Sequence, residues 1–116
     1  LLNPDKPVVS VAGDGGFAMA PHVLSTAMQY KLPIAFVVMN NSMLGMIHDG
    51  QGSKPVATEF IDTDFAKISQ AFGAGGDRVK NPEEITPAIK EALMADLPTV
   101  IDVITSQTES HMKIMS

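Results

Sequence analysis

Cysteine is absent from the 116-residue chain, which excludes disulfides, thiolate metal centres and cysteine nucleophiles. The absence agrees with a reducing compartment, and the cytoplasm is the expected location. Positive charge is scarce: eight Lys and Arg against thirteen Asp and Glu leave a formal net charge of −5, with no basic run. Nucleic acid and anionic membrane surfaces are therefore not expected partners. No apolar stretch approaches the roughly 20 residues of a membrane span, and the first residues show neither a basic n-region nor a cleavage site. An initiator Met is also missing: the chain opens at Leu1-Leu2-Asn3-Pro4 and enters a strand-like run almost at once. A piece of a longer protein is expected.

What is present suits one ordinary domain, since the length and the 45% hydrophobic content support a single core. Residues 8–12 (Val-Val-Ser-Val-Ala) form a β-branched run ending at glycines, as a buried strand does. Gly13-Asp14-Gly15-Gly16 is then expected to turn. Over 21–30, Val23, Leu24, Ala27 and Met28 recur at helical spacing, with Pro21 suited to a first turn and Pro33 stopping the pattern. Residues 34–39 (Ile-Ala-Phe-Val-Val-Met) read as a second strand buried on both faces. Residues 42–61, with Gly45, Gly50 and Gly52, read as a long loop holding at most a short helical turn near 44–47.

Beyond the loop, Asp62 or Thr63 is expected to cap a helix whose core face is Phe65, Ile68 and Phe72, with Gly73 as the stop. Arg78-Val79 ends a short strand. Asn81-Pro82-Glu83-Glu84 has the form of an N-cap, a first-turn proline and an acidic third position, opening a helix with Ile85, Ala88, Ile89, Ala92 and Leu93 inward. Residues 99–104 read as the last buried strand, and 106–116 as a polar tail. Strands alternating with helices imply right-handed βαβ units: a three-layer α/β fold, a parallel sheet with helices on both faces. The expected division is a domain over 1–105 and the tail over 106–116.

Ligands of such sheets bind beyond the carboxyl ends of the strands, where Gly13-Asp14-Gly15-Gly16 and Asn40-Asn41 both fall. If the two strands are neighbours, Asp14 and Asn41 converge. A carboxylate, an amide oxygen and a nearby backbone carbonyl are the hard ligands that Mg²⁺ prefers, with phosphate oxygens and water completing the shell. Glycines allow backbone N–H groups to approach the anion closely. The rival is a dinucleotide fingerprint, because Gly13 to Ala18 also satisfies G-x-G-x-x-G/A. Against it stand the Asp between the first two glycines, which repels a bare pyrophosphate, and the lack of an acidic residue after the second strand. A domain without catalysis, built only for interaction, is the third alternative. Asp14 and Asn41 would then be turn formers.

Gly13-Asp14-Gly15, followed after twenty-four residues by Asn40-Asn41, resembles the thiamine diphosphate signature. Tyr30-Lys31-Leu32-Pro33, the run from Asn41 to Ile47, Asp64-Phe65, Ala71-Phe72-Gly73-Ala74 and Pro98-Thr99-Val100-Ile101-Asp102 are similar to acetolactate synthase-type sequences. The resemblance implies the C-terminal, diphosphate-binding domain of a thiamine diphosphate-dependent 2-oxo acid decarboxylase or carboligase, truncated at its N-terminal end. It implies Mg²⁺ held by Asp14, the Asn41 side chain and the Met43 carbonyl. Gly13, Gly15, Gly16, Leu44, Gly45, Met46 and Ile47 would line the diphosphate, and Asn40 would support the turn.

The resemblance places the activating glutamate on a separate pyrimidine-binding domain, of the same or another chain, so no catalytic residue is expected here. The isolated chain should be inactive, and the assembled protein should be a homo-oligomer acting on a 2-oxo acid. The chain departs from many relatives at His22-Val23, where Gln-Glu is common, and at His48-Asp49, where a basic residue and Gln are common. Those changes bear on substrate choice. His22, His48 and His111 are expected at the surface or an interface, the eight methionines in core and interface gaps, and Glu83 and Glu84 at a helix start without chemistry.

Overall fold

A computed structural model describes residues 1–109. Four strands, β1 (Val8–Gly13), β2 (Ile34–Asn40), β3 (Gly75–Val79) and β4 (Thr99–Ile104), form one sheet in the order β1-β2-β4-β3. Every pairing is parallel, running from Val8↔Ile34 to Gly13↔Met39, from Ala35↔Thr99 to Asn40↔Ile104 and from Gly75↔Thr99 to Val79↔Val103. The helices are α1 (Asp14–Ala18), α2 (Val23–Gln29), α3 (Gly45–Gly50), α4 (Phe65–Ala71) and α5 (Ile85–Met94).

The strand order dictates which face each helix covers. From β1 to β2 and from β2 to β3 the chain moves in one direction across the sheet, and from β3 to β4 it turns back. Right-handed crossovers then put the helices of the first two connections on one face and α5 on the other. The core divides accordingly: Phe17, Leu24, Ala27, Phe65 and Ala74 pack with Phe36, Val38 and Val100. On the opposite face Ala88 and Ala92 of α5 pack with Ala35, Val37, Val79, Ile101 and Val103. Alternation along β2 supplies both cores, which is why its sequence is a continuous apolar run. The expected parallel α/β sheet with helices on both faces is thus the fold.

Several local expectations need correction. Gly13-Asp14-Gly15-Gly16 is not a plain turn, because helix α1 begins at Asp14 itself. The second helix starts at Val23, with Pro21 and His22 in the turn before it. The cap of α4 is Asp64, whose Oδ1 accepts from Lys67 N at 3.0 Å, and not Asp62 or Thr63. Phe65 of the expected α4 core face is buried and Ile68 packs on the core as expected, joined by buried Ala66 and Ser69, while Phe72 is exposed at the helix end. The Asn81 capping box is present, but its first turn over Pro82–Glu84 is a 3-10 turn. Of the methionines, Met43 is buried and Met28 packs on the core, whereas Met19, Met39, Met46 and Met94 are exposed; Met112 and Met115 lie outside the described residues.

Helix α5 packs on β2, β4 and β3, so Val9 and Val11 of β1, in register with Ala35 and Val37 on that face, remain exposed. At the other edge α4 lies tight against β3: a Cβ on Gly76 would fall 2.2 Å from the Ala66 carbonyl oxygen.

Candidate functional site

β1 and β2 are neighbours, so the turns that follow them meet. Asp14 stands one residue past the end of β1 and is 6% exposed. Its Oδ1 accepts from Gly15 N at 2.7 Å, and its Oδ2 accepts from Asn41 N at 3.1 Å and Met43 N at 3.3 Å. The 41–43 turn therefore wraps around this carboxylate. Met43 N also donates to Asn41 Oδ1 at 3.2 Å. Among the described residues no Lys, Arg or His forms an ion pair with Asp14. A buried carboxylate without a cationic side chain is the setting in which a bound cation is favoured.

Asn40 is 2% exposed and spends its side chain on the turn. Its Nδ2 donates to Thr63 O at 3.0 Å and Asp102 Oδ1 at 2.9 Å, while its Oδ1 accepts from Ser42 N at 3.1 Å. That last bond closes an Asx-type turn and helps hold Ser42 at φ +57°, a conformation that a non-glycine residue adopts only when its surroundings fix it. Asn40 thus has the supporting part expected of it.

The 42–61 segment is a tied loop. Leu44 N donates to Thr58 O and Phe60 N to Ser42 O, each at 2.8 Å, so the strand-like 58–60 piece clamps the turn from outside. Helix α3 follows the turn directly and is longer than the short turn expected at 44–47. Gly15 and Leu44 touch across the gap, since a Cβ on Gly15 would meet Leu44 Cδ2 at 2.6 Å. A Cβ on Gly13 or Gly16 would meet no protein atom within 4 Å.

Of the ten residues expected around the cofactor, nine line one open cavity of about 380 Å³: Gly13, Asp14, Gly15, Gly16, Met43, Leu44, Gly45, Met46 and Ile47. Asn41 lines an adjoining cavity of about 270 Å³ that also includes Asp14 and Met43. Among the described residues there is no cluster of three His, Cys, Asp or Glu able to hold a metal. A metal here needs the mixed set of one carboxylate, one amide oxygen and one backbone carbonyl, which suits a hard cation such as Mg²⁺.

Sequence reasoning missed Asp102 and Arg78. Asp102 is fully buried and accepts from Phe65 N at 3.1 Å as well as from Asn40. Burial pushes its carboxyl above the ordinary range, opposed by the Asn40 and Phe65 hydrogen bonds and by Arg78. Arg78 bonds Asp62 and lies 3.7 Å from Asp64 and 3.5 Å from Asp102. Its pKa is raised, chiefly by the Asp62 hydrogen bond. The available signal was a charged residue in the middle of the apolar run Thr-Val-Ile-Asp-Val-Ile, a position that demands a buried partner. His22 is exposed, His48 lies 3.5 Å from both Asp49 and Glu59, and His111 falls outside the described residues.

Glycines, a buried acid and an asparagine turn thus converge beyond two adjacent strands of a parallel α/β sheet, the place where such sheets bind ligands. Comparison makes the class specific. Residues 1–103 match the thiamine pyrophosphate enzyme family at its C-terminal TPP binding domain, and the chain belongs to that family. A Bacillus subtilis protein, YdaP, whose name describes it as thiamine pyrophosphate-containing, is 42% identical over 107 residues, 90% of this chain and 19% of that protein. The acetolactate synthase of Bacillus subtilis is 37% identical over 106 residues, 89% of this chain and 19% of the synthase. The thiamine diphosphate-dependent 4-hydroxybenzoylformate decarboxylase of Rhodococcus jostii RHA1 superposes with a TM-score of 0.82 at 33% identity, covering 92% of this chain and 21% of that one. This chain spans about a fifth of each of these proteins. Among the described residues no helix is long and apolar enough to cross a membrane.

Proposed function

We propose that residues 1–105 hold the diphosphate of thiamine diphosphate through Mg²⁺, as one part of an acetolactate synthase-like 2-oxo acid decarboxylase or carboligase. The observation that carries this is the Asp14 carboxylate, buried without a cationic side chain and enclosed by the 41–43 turn. Asp14, the Asn41 side-chain oxygen and the Met43 carbonyl would hold the ion. Gly13, Gly15, Gly16, Leu44, Gly45, Met46 and Ile47 would line the diphosphate, with Gly16 open to it because no protein atom fills the space beside its Cα.

Bound thiamine diphosphate supplies the electron sink for cleaving the bond beside the carbonyl of a 2-oxo acid. This chain's residues anchor and orient. The Asp14 charge offsets the metal, the 58–60 clamp keeps the asparagine turn in place, and the glycines let backbone reach the anion. The remainder of the cleft comes from a pyrimidine-binding domain of the same or another chain, in an oligomeric cytoplasmic enzyme. The dinucleotide alternative is disfavoured because β2 ends in Asn40-Asn41, with Asn40 engaged by Asp102 and Thr63.

Calorimetric titration of thiamine diphosphate in Mg²⁺ tests the proposal. Asp14→Ala should abolish Mg²⁺-dependent binding with the fold retained, Asn41→Ala should weaken it strongly and Asn40→Ala less. Unchanged affinity in Asp14→Ala would show the metal assignment to be wrong, and saturable NAD binding without a response to thiamine diphosphate would favour the dinucleotide alternative.

A further inference from the structure

We infer that Asp102, in the interior strand β4, is a positioning residue for the metal turn and acts through Asn40. The inference rests on Asp14 and Asn41 holding Mg²⁺. Asp102 lies on β4 two residues before the partner of Asn40 in the β2-β4 register. Its carboxylate is fully buried on the face where α4 begins.

The two carboxylate oxygens have separate tasks. Oδ1 accepts from Asn40 Nδ2 at 2.9 Å and Oδ2 from Phe65 N at 3.1 Å. With Nδ2 committed to Asp102 and to Thr63 O, the Asn40 amide has one orientation, in which Oδ1 faces Ser42 N. An amide that was free to flip would present N–H groups to the Ser42 N–H, a donor against a donor. Asp102 therefore selects the orientation that keeps Ser42 at positive φ, and Ser42 carries the chain from Asn41 to Met43. Two of the three proposed ligands flank that residue.

Arg78 and the α4 N-terminus explain how the fold tolerates a carboxylate at this depth. Arg78 Nε is 3.5 Å from Oδ2, and the guanidinium is shared with Asp62 and Asp64 of the segment that leads into α4. The same segment contributes Thr63 O to Asn40. One network thus joins the metal turn, the 62–64 segment and two strands. A buried acid kept only for stability would not need to address the side chain next to a ligand.

The test combines two readouts on the purified protein. Amide hydrogen exchange by NMR reports on Ser42, and calorimetry with thiamine diphosphate at graded Mg²⁺ gives the half-saturating Mg²⁺ concentration. Asp102→Leu and Asn40→Ala should each speed Ser42 exchange about tenfold or more, while the Val37 and Val38 amides keep their protection. Each should also raise the Mg²⁺ requirement about tenfold, as losing the partner of a ligand-bearing turn does. The Asp102→Leu/Asn40→Ala double variant should need no more Mg²⁺ than either single one, because the two residues act in series.

Unchanged Ser42 exchange in Asp102→Leu, or additive losses in the double variant, overturns the inference. If Asp102→Leu does not fold, Asp102→Asn decides: it leaves one acceptor oxygen for two donors, so intermediate changes in both readouts support the inference and unchanged ones overturn it. If the unmodified protein shows no Mg²⁺-dependent binding even with a pyrimidine-binding domain added, the proposed cofactor site is wrong, and Ser42 exchange still establishes whether Asp102 sets the turn.

Discussion

Replacing Gly16 by Ala separates a packing requirement from a ligand requirement. Gly16 sits inside α1 with a conformation open to any residue, and its added Cβ would touch no protein atom within 4 Å. On folding grounds the substitution is favourable, since alanine in a helix interior is better than glycine by roughly 0.5–1 kcal/mol. For a domain with a urea m-value near 2 kcal/mol/M, the unfolding midpoint should rise by about 0.3–0.5 M. If Gly16 faces the diphosphate, the same methyl occupies ligand space. Displacing one charge-assisted hydrogen bond costs about 1.5–3 kcal/mol, so thiamine diphosphate should bind roughly ten- to a hundredfold more weakly. The neighbouring Gly15→Ala provides the contrast, because its Cβ would press on Leu44 Cδ2 at 2.6 Å. Moving Leu44 off its rotamer costs about 0.5–1.5 kcal/mol, which offsets the helix gain, so this variant should show no such rise in midpoint. Urea unfolding followed by circular dichroism and calorimetry in Mg²⁺ measure both quantities. A more stable Gly16→Ala with unchanged cofactor affinity would refute the placement of the diphosphate beside Gly16.

At the β3 edge, Gly76→Ala drives a methyl into the Ala66 backbone and should destabilise by at least the roughly 1–3 kcal/mol of an overpacked core, visible as a lower urea midpoint at constant m. Hydrogen bonds from Asn81 and the Lys80 and Asn81 backbone hold the Glu84 carboxyl below its ordinary value, so its contribution is present at neutral pH and is lost as pH falls through the depressed folded value. Glu84→Gln should therefore lower the thermal midpoint at pH 7, and the gap should close under acid; a gap that persists there would show that charge is irrelevant to the cap. The chain by itself should not decarboxylate 2-oxo acids faster than free thiamine diphosphate does. Activity should appear only on mixing with a pyrimidine-binding domain that bears its glutamate, and turnover by the chain alone would contradict the division of the site.

The features legible in the sequence were those whose causes are local. Asn81-Pro82-Glu83-Glu84 forms its capping box from adjacent residues, and 34–39 and 99–104 were visible as strands because each is buried on both faces. The convergence of Asp14 with the asparagine turn followed from the rule that ligand loops gather at strand ends. Less legible was anything set by tertiary contact. Two glycines argue against a helix at 14–18, yet α1 forms there because Phe17 is drawn into the core against Phe36 and Phe65. Helix α4 begins at Phe65, whose N–H is held by Asp102 from a distant strand, so the cap falls on Asp64, and the partners of Asp102 lie 37 and 62 residues away in sequence. The strand order has no sequence signature.

The order β1-β2-β4-β3 also has a kinetic side. β1 and β2 pair across 26 residues and β3 and β4 across 24, whereas the central β2-β4 seam joins residues 64 apart, as Ala35↔Thr99 shows. Two βαβ units of similar reach are thus expected to assemble first and then dock along one seam, where the larger loop-closure entropy falls. Until docking, each unit presents the β2 or β4 edge, a run of Val, Ile and Phe with unpaired backbone groups. Val38→Ala and Val100→Ala, on the seam, should slow refolding more than equally destabilising changes within one unit. Stopped-flow kinetics that instead showed the same substitutions acting wholly on the unfolding limb would place docking after the rate-limiting step.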